Sequence, residues 1–437
     1  MIRRLASRVP AGALRSGKAA AVYFGTSALN AIVPLLLLPV LTARLTPADY
    51  GTVALFQAVS TLANVFIYFG MGSTVMRSMT VGPEHERRDY VASALVIIVA
   101  VFAATTFLGW GVDALAGPIA GLSVLWFTLA IATGGFMSLN QLYLIVLQAR
   151  MQAVSFSFVQ IGTAALNVGL TLLFVVSMNE GWQGRVSAIV LSFAVSGVAG
   201  ILYMAVRREI GRPSVKHIKD AAQLGGATLP HSLLNMAMAV ADRFLLNIFF
   251  SDSVVGVYAV GSQLASGIMF IGQSIHGAVQ PQGLKMIAAA KTEAQRRRLG
   301  KIAVAIVGLI LVMSIAYVVV VAVFAPSHID PKFHDFKQYF FLLSIASIFQ
   351  SIYFIFSYPL FYYRATKVLA TTGFILAAVF AAVSLGGIYV FGSIGVSLGI
   401  VSARAGLLGV AVHYALKLTA IGPSPSVSSN AVAQTHG

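Results

Sequence analysis

The chain has 437 residues, of which 58% are hydrophobic and only 10% charged, whereas soluble domains carry roughly 25% charged residues. That leaves too little polar surface to cover a water-soluble core, so a soluble enzyme, a coiled coil, a disordered chain and a secreted disulfide scaffold are excluded. With no cysteine there is no disulfide or thiolate metal site, and a formal charge of +16 on a membrane protein points to basic loops facing anionic lipid rather than nucleic acid.

Apolar runs are predicted at residues 19–42, 51–73, 89–110, 120–147, 154–178, 186–206, 223–250, 254–280, 302–324, 338–360, 369–391 and 394–416. Each is near the ~20 residues a spanning helix needs. The expected fold class is therefore all-α: a polytopic membrane protein with 12 transmembrane helices. Turn chemistry separates several of them, as in Thr46-Pro47-Ala48-Asp49-Tyr50-Gly51, Ser251-Asp252-Ser253 and Phe391-Gly392-Ser393.

A basic arm, residues 1–18, carries Arg3, Arg4, Arg8, Arg15 and Lys18. The apolar stretch after it is too long for a signal-peptide core, so it reads as an uncleaved first helix. Within the arm, Gly12-Ala-Leu-Arg-Ser-Gly17-Lys18-Ala19 nearly spells a phosphate-binding loop. It lacks the hydroxyl residue that would hold magnesium and a preceding strand, so no nucleotide or other cofactor is expected. Counting Lys and Arg by loop places most of them on the side shared by both termini, against Arg44, Arg185, Lys332 and Lys337 on the other. The bias predicts cytoplasmic N- and C-termini.

Six spans precede a basic stretch and six follow it. The expected organisation is an N-terminal six-helix bundle at 19–206, a cytoplasmic linker at 207–222, a second six-helix bundle at 223–416 and a tail at 417–437. The segments 45–54 and 250–259 are alike: each has a turn, then Gly51 or Gly256, then Ala54 or Ala259, at a spacing of 205 positions. A parallel repeat of six helices follows, with a site between bundles near mid-membrane, as in many transporters.

Charges inside spans cost roughly 2.5–3.5 kcal/mol each on insertion scales, so they should face a partner or a cavity. Asp242 and Arg243 lie in the seventh span and Arg404 in the twelfth. Two readings are open for the first pair: a structural ion pair with other helices, or cavity lining and gating. Adjacent residues point ~100° apart on a helix, so they need not pair with each other. Arginine in a cavity suits a phosphate-bearing substrate, because the guanidinium fork matches phosphate oxygens. Polar uncharged residues recur in the spans, among them Gln57, Asn64, Asn140, Gln141, Gln160, Asn167, His231, Asn235, Gln263 and Gln350. They can bond between helices or line a hydrated cavity that accepts sugar hydroxyls. His231, Asn235 and Asp242 share one face of the seventh span.

The segment Leu38-Pro39-Val40-Leu41-Thr42-Ala43-Arg44-Leu45-Thr46-Pro47-Ala48-Asp49-Tyr50-Gly51, with Ala241-Asp242-Arg243-Phe244-Leu245-Leu246 and Val255-Gly256-Val257-Tyr258-Ala259, resembles the bacterial polysaccharide (Wzx-type O-antigen) flippases. These belong to the multidrug/oligosaccharidyl-lipid/polysaccharide exporter (MOP) superfamily. The resemblance implies two six-helix bundles around a cationic cavity in the bacterial inner membrane. It also implies transfer of a polyprenyl-diphosphate-linked oligosaccharide from the inner to the outer leaflet by alternating access. The chain is then a transporter and not an enzyme. Its partners are the lipid-linked glycan, membrane lipids and downstream polymerase and chain-length proteins, with no nucleic acid.

On this reading Arg243 and Arg404 attract the diphosphate and His231, Asn235, Gln57 and Gln263 meet sugar. Asp242 gates or couples an ion, either a proton or simply the membrane potential. The alternatives are a cation-coupled multidrug exporter of the same superfamily and a membrane glycan polymerase or ligase using His328, Asp330, His334 and Asp335 of the segment 325–337.

Overall fold

The computed structural model describes residues 22, 25–26, 32–117, 121–290, 292–363 and 366–421. The basic arm, the phosphate-loop-like stretch and most of the tail lie outside them. The described residues are almost entirely helical and include no strand. Among the described residues ten helices are long and apolar enough to cross a membrane, and Ile32–Arg44 is a shorter apolar helix.

The first compact unit covers residues 1–259 and the second 260–437. The first contains α1 (Ile32–Arg44), α2 (Pro47–Tyr68), α3 (Met71–Val81), α4 (Arg87–Ala116), α5 (Val124–Ala149), α6 (Ala153–Thr171), α7 (Gly181–Val206) and α8 (Val215–Phe249). Helix α2 starts at a full capping box: the Thr46 hydroxyl accepts from the Asp49 amide while the Asp49 carboxylate accepts from the Thr46 amide, so two otherwise orphaned donors are satisfied. Pro47 at the first helical position needs no donor there.

The span expected at 51–73 is interrupted. Phe69 (φ 49°) and Gly70 (φ 68°) are left-handed and end α2 before α3 begins. A side chain at Gly70 would also meet the Gly225 carbonyl at 2.8 Å, so the break is what admits α8. Helix α2 packs on α5 and α8, α5 on α7, and α4 on both α5 and α8. Helix α8 is 35 residues long and carries Lys216, Lys219, Asp220, Asp242 and Arg243.

Helix α9 (Asp252–Ala289) begins in the first unit and continues into the second, which also holds α10 (Glu293–His328), α11 (Phe336–Phe356), α12 (Tyr358–Tyr362), α13 (Thr366–Phe391) and α14 (Ile394–Ile421). Helices α9 and α10 have 38 and 36 residues. At 1.5 Å per residue both exceed a ~30 Å hydrocarbon core. The basic run Arg296-Arg297-Arg298 therefore lies on the first turns of α10, behind a Thr292–Gln295 capping box, and not in a loop. Gly395 and Gly399 of α14 lie against Gly387 and Ser384 of α13, a small-residue contact that lets the two backbones approach.

The two segments that look alike in sequence meet in the first unit. A side-chain carbon at Gly51 would lie 1.9 Å from the Asp252 carbonyl oxygen, and one at Gly256 would lie 1.9 Å from the Pro47 carbonyl oxygen. Each helix start thus presses on the other through equivalent positions of the repeat, backbone against backbone, with glycine the only residue that fits either side.

Candidate functional site

A cavity of about 480 Å³ opens inside the first unit, lined by α1, α2, α5, α6 and α7. Its wall is rich in amides and hydroxyls: Gln57, Ser60 and Thr61 on α2, Thr133, Asn140 and Gln141 on α5, Gln160, Thr163 and Asn167 on α6, and Ser192 on α7. The one charged residue among the described lining residues is Arg185, and no carboxylate is found among them.

Arg185 sits in the first turns of α7 and is only 7% exposed. The charge count above placed it in an outer loop, before a span starting at 186. In the structure α7 begins one turn earlier, because Gly181 (φ 59°) reverses the chain and Trp182-Gln183-Gly184 already continue helically. Arg185 is thereby drawn under the protein surface. Its Nη1 donates to Asn167 Oδ1 (2.8 Å) and Thr171 Oγ1 (2.6 Å), and its Nε is buried without a partner. Asn167 and Thr171 are four residues apart on α6 and so share a face. Immediately beyond them the helix widens into a π-turn at Leu172–Ser177, a distortion that often marks functional positions.

Other polar residues of the wall bond between helices. Asn167 Nδ2 donates to Ser192 Oγ (3.0 Å), and Asn140 reaches Ser196 and Thr163. Asn64, 5% exposed, donates to the Gly134 carbonyl (3.2 Å) and Ser138 Oγ (2.9 Å) and accepts from Gln141 Nε2 (3.2 Å). The two uses foreseen for such residues therefore coexist. Asn64 holds α2 to α5, and Gln141, bonded to it, also faces the cavity.

Of the residues singled out in the sequence, Gln57, Asn140, Gln141, Gln160 and Asn167 line this cavity. Asp242 is buried, and its carboxylate accepts from the Arg243 amide (2.8 Å), Arg243 Nη1 (3.2 Å) and the Tyr258 hydroxyl. The neighbours on α8 do pair, because the long arginine side chain folds back; its Nη1 also donates to the Ala239 carbonyl (3.0 Å). Arg404 on α14 donates through Nη1 to Gln350 Oε1 of α11 (2.5 Å), and Gln263 is half-buried on α9 with its carbonyl accepting from Ser266 Oγ (2.6 Å). Both belong to the second unit. The side chains of His231 and Asn235 lie outside the described residues.

Two of the residues weighed for an enzyme make local contacts within their own segment. Asp330 accepts from the Lys332 amide (3.1 Å) to start a short turn, and His328 Nδ1 contacts the Phe324 carbonyl (2.8 Å). Among the described residues no cluster suits a metal ion.

The family model described as "Polysaccharide biosynthesis protein" matches residues 16–282, more than half of the chain. The chain belongs to the polysaccharide biosynthesis protein family. A relative, "Lsg locus putative protein 1" of Haemophilus influenzae, is 23% identical over 371 residues, covering 84% of this chain and 89% of its own. Among solved structures, the inward-facing conformation of a multidrug resistance MATE family transporter of the MOP superfamily is similar at a TM-score of 0.67 and 17% identity, over 89% of this chain and 95% of that one. The MATE transporter VcmN of Vibrio cholerae, in its bent form, is similar at a TM-score of 0.57 and 15% identity, over 93% and 98% of the two chains. The fold of this polysaccharide biosynthesis protein is that of these MATE transporters, and ten of its described helices are long and apolar enough to cross a membrane.

Arg185 escaped sequence reading because it stands beside Glu180 and Gly181 and looks like part of a turn. The available signal was the polar pair Asn167 and Thr171 at helical spacing, just across a short connection from it.

Proposed function

We propose that the protein moves a polyprenyl-diphosphate-linked oligosaccharide from the inner to the outer leaflet of the bacterial inner membrane, with both termini in the cytoplasm. The observation that carries this reading is the cavity of the first unit. Amides and hydroxyls are the groups that exchange hydrogen bonds with sugar hydroxyls, and a buried guanidinium in place of carboxylates suits an anionic headgroup. A cation-coupled drug exporter needs an acid where the described wall has none. Membership of a polysaccharide biosynthesis family points the same way.

In this account the glycan enters a polar cavity while the polyprenyl tail stays in lipid. Gln57 on the cavity wall contacts sugar, and Arg243 attracts the diphosphate. Asp242, bonded to Arg243 and Tyr258, releases or holds Arg243 as the transporter changes conformation. An inside-negative potential favours outward movement of the anionic headgroup by ~2.3 kcal/mol per charge per 100 mV, so no further cofactor is needed.

The test is reconstitution. Purified protein in liposomes carrying a fluorophore-tagged polyprenyl-diphosphate disaccharide should let external dithionite bleach inner-leaflet as well as outer-leaflet probe. Bleaching confined to the outer-leaflet pool would contradict the proposal.

A further inference from the structure

We propose that Arg185, with Asn167 and Thr171, forms a binding site for a single oxyanion inside the first unit. The ligand class is a phosphate or carboxylate group of the substrate headgroup. The lipid-linked glycan reading supplies the source of that anion, but the site itself stands on the geometry alone.

Two other arginines of the first unit have carboxylate partners: Arg243 bonds Asp242 and Arg150 bonds Glu209. Arg185, 7% exposed, bonds neutral acceptors, and both bonds use the same nitrogen, Nη1. Its Nε is buried and unpartnered. A guanidinium held in this way keeps its full charge without a counter-ion, and an unmade hydrogen bond to a charged group is costly. The edge left unused, Nε with Nη2, is one that takes carboxylate and phosphate oxygens as a fork.

Two further features favour an anion at this place. Arg185 lies in the first turns of α7, where the amide dipoles add positive potential, and the surrounding cavity holds no described carboxylate to compete. Asn167 and Thr171 act as positioning residues: by occupying Nη1 they fix the plane of the guanidinium. At about 480 Å³ the cavity falls within the size range of ordinary ligand sites.

A reporter is built in. Trp182, one turn before Arg185 on α7, lies 5.0 Å from Trp126 between ring centroids, and Trp110 is the only other tryptophan. Full-length protein carrying Trp110→Phe, in lipid nanodiscs, is titrated at constant ionic strength with inorganic pyrophosphate and, separately, with glucuronate. A saturable change in tryptophan fluorescence is expected, weakened about tenfold or more by Arg185→Gln and little changed by Arg297→Gln at an exposed position of α10. Response to pyrophosphate assigns the site to the carrier's diphosphate, and response to glucuronate alone assigns it to an acidic sugar; either supports the proposal.

Should Arg185→Gln fail to fold, Asn167→Asp supplies a carboxylate beside the guanidinium and should abolish the response in folded protein. No saturable response to either anion, or a response that survives Arg185→Gln or Asn167→Asp unchanged, overturns the proposal. The binding assay needs no transport. Anion binding without lipid translocation would sink the flippase reading and leave the site, and translocation without anion binding would do the reverse.

Discussion

Substituting Gly51 by alanine probes the contact between the two repeat junctions. The added carbon would lie 1.9 Å from the Asp252 carbonyl oxygen and 2.7 Å from its carbon, whereas ordinary contact begins near 3.4 Å. The starts of α2 and α9 must therefore part by roughly 1.5 Å, the difference between those distances, and no side-chain rotation can relieve backbone against backbone. Behind the contact, Leu55, Phe56 and Tyr258 are fully buried, so the displacement also loosens their packing. Overpacking of this kind costs about 1–3 kcal/mol.

The assay is the thermal unfolding midpoint of detergent-solubilised protein, with Gly162→Ala as the control, since nothing lies within 4 Å of a carbon added there and helix propensity alone favours it by up to ~1 kcal/mol. Gly51→Ala should melt several degrees below wild type and Gly162→Ala at or above it. Gly256→Ala should resemble Gly51→Ala, and the double variant should lose less than the sum, because both substitutions act on one crossing. A Gly51→Ala protein as stable as wild type would refute the reasoning.

Three other outcomes are expected. Asp242→Asn removes the carboxylate that Arg243 and Tyr258 share and should destabilise by about 3 kcal/mol, Tyr258→Phe by about 1 kcal/mol, with Asp242→Asn/Arg243→Gln recovering part of the first loss; equal stability of all three in denaturant or thermal unfolding would remove the pair from the account. Asn64→Leu leaves Ser138 and Gln141 without their partner and should cost about 1–3 kcal/mol in the same assay, while an unchanged midpoint would mean that this network does not hold α2 to α5. Because the chain has no cysteine, single cysteines report sidedness: an impermeant maleimide should label Ser327→Cys in intact spheroplasts and Thr292→Cys only after permeabilisation, both positions being exposed, and the opposite pattern would invert the proposed orientation.

Much of the helical layout was legible in the sequence because it depends on apolar run length and local turn chemistry. Thr46, Pro47 and Asp49 announce the start of α2 through capping alone, and the likeness of 45–54 to 250–259 marks two segments that in the structure touch. Features that depend on tertiary partners were not legible. The break at Phe69–Gly70 exists to admit Gly225 of α8, and nothing local demands it. Arg185 looked like a loop residue because its solvating partners, Asn167 and Thr171, are on another helix. The pairing of Asp242 with Arg243 defied the ~100° rule for adjacent residues because a long side chain can fold back along its own helix.

The lengths of α9 and α10 show the same limit, since an apolar window finds the span but not the polar turns that extend it. At the cavity, the sequence marked Gln57, Asn140 and Asn167 as polar span residues able to line one but gave no reason to join Arg185 to them. Those residues converge only when α2, α5, α6 and α7 pack together.

The central claim is that this polysaccharide biosynthesis protein carries a lipid-linked glycan across the membrane. The most direct measurement is the leaflet on which that glycan resides after the gene is deleted in its native host, using an impermeant enzyme or lectin on spheroplasts. The account predicts accumulation on the cytoplasmic leaflet, reversed by the wild-type gene. Glycan-linked lipid reaching the outer leaflet at the wild-type level, in a strain with no second flippase for it, would contradict the account.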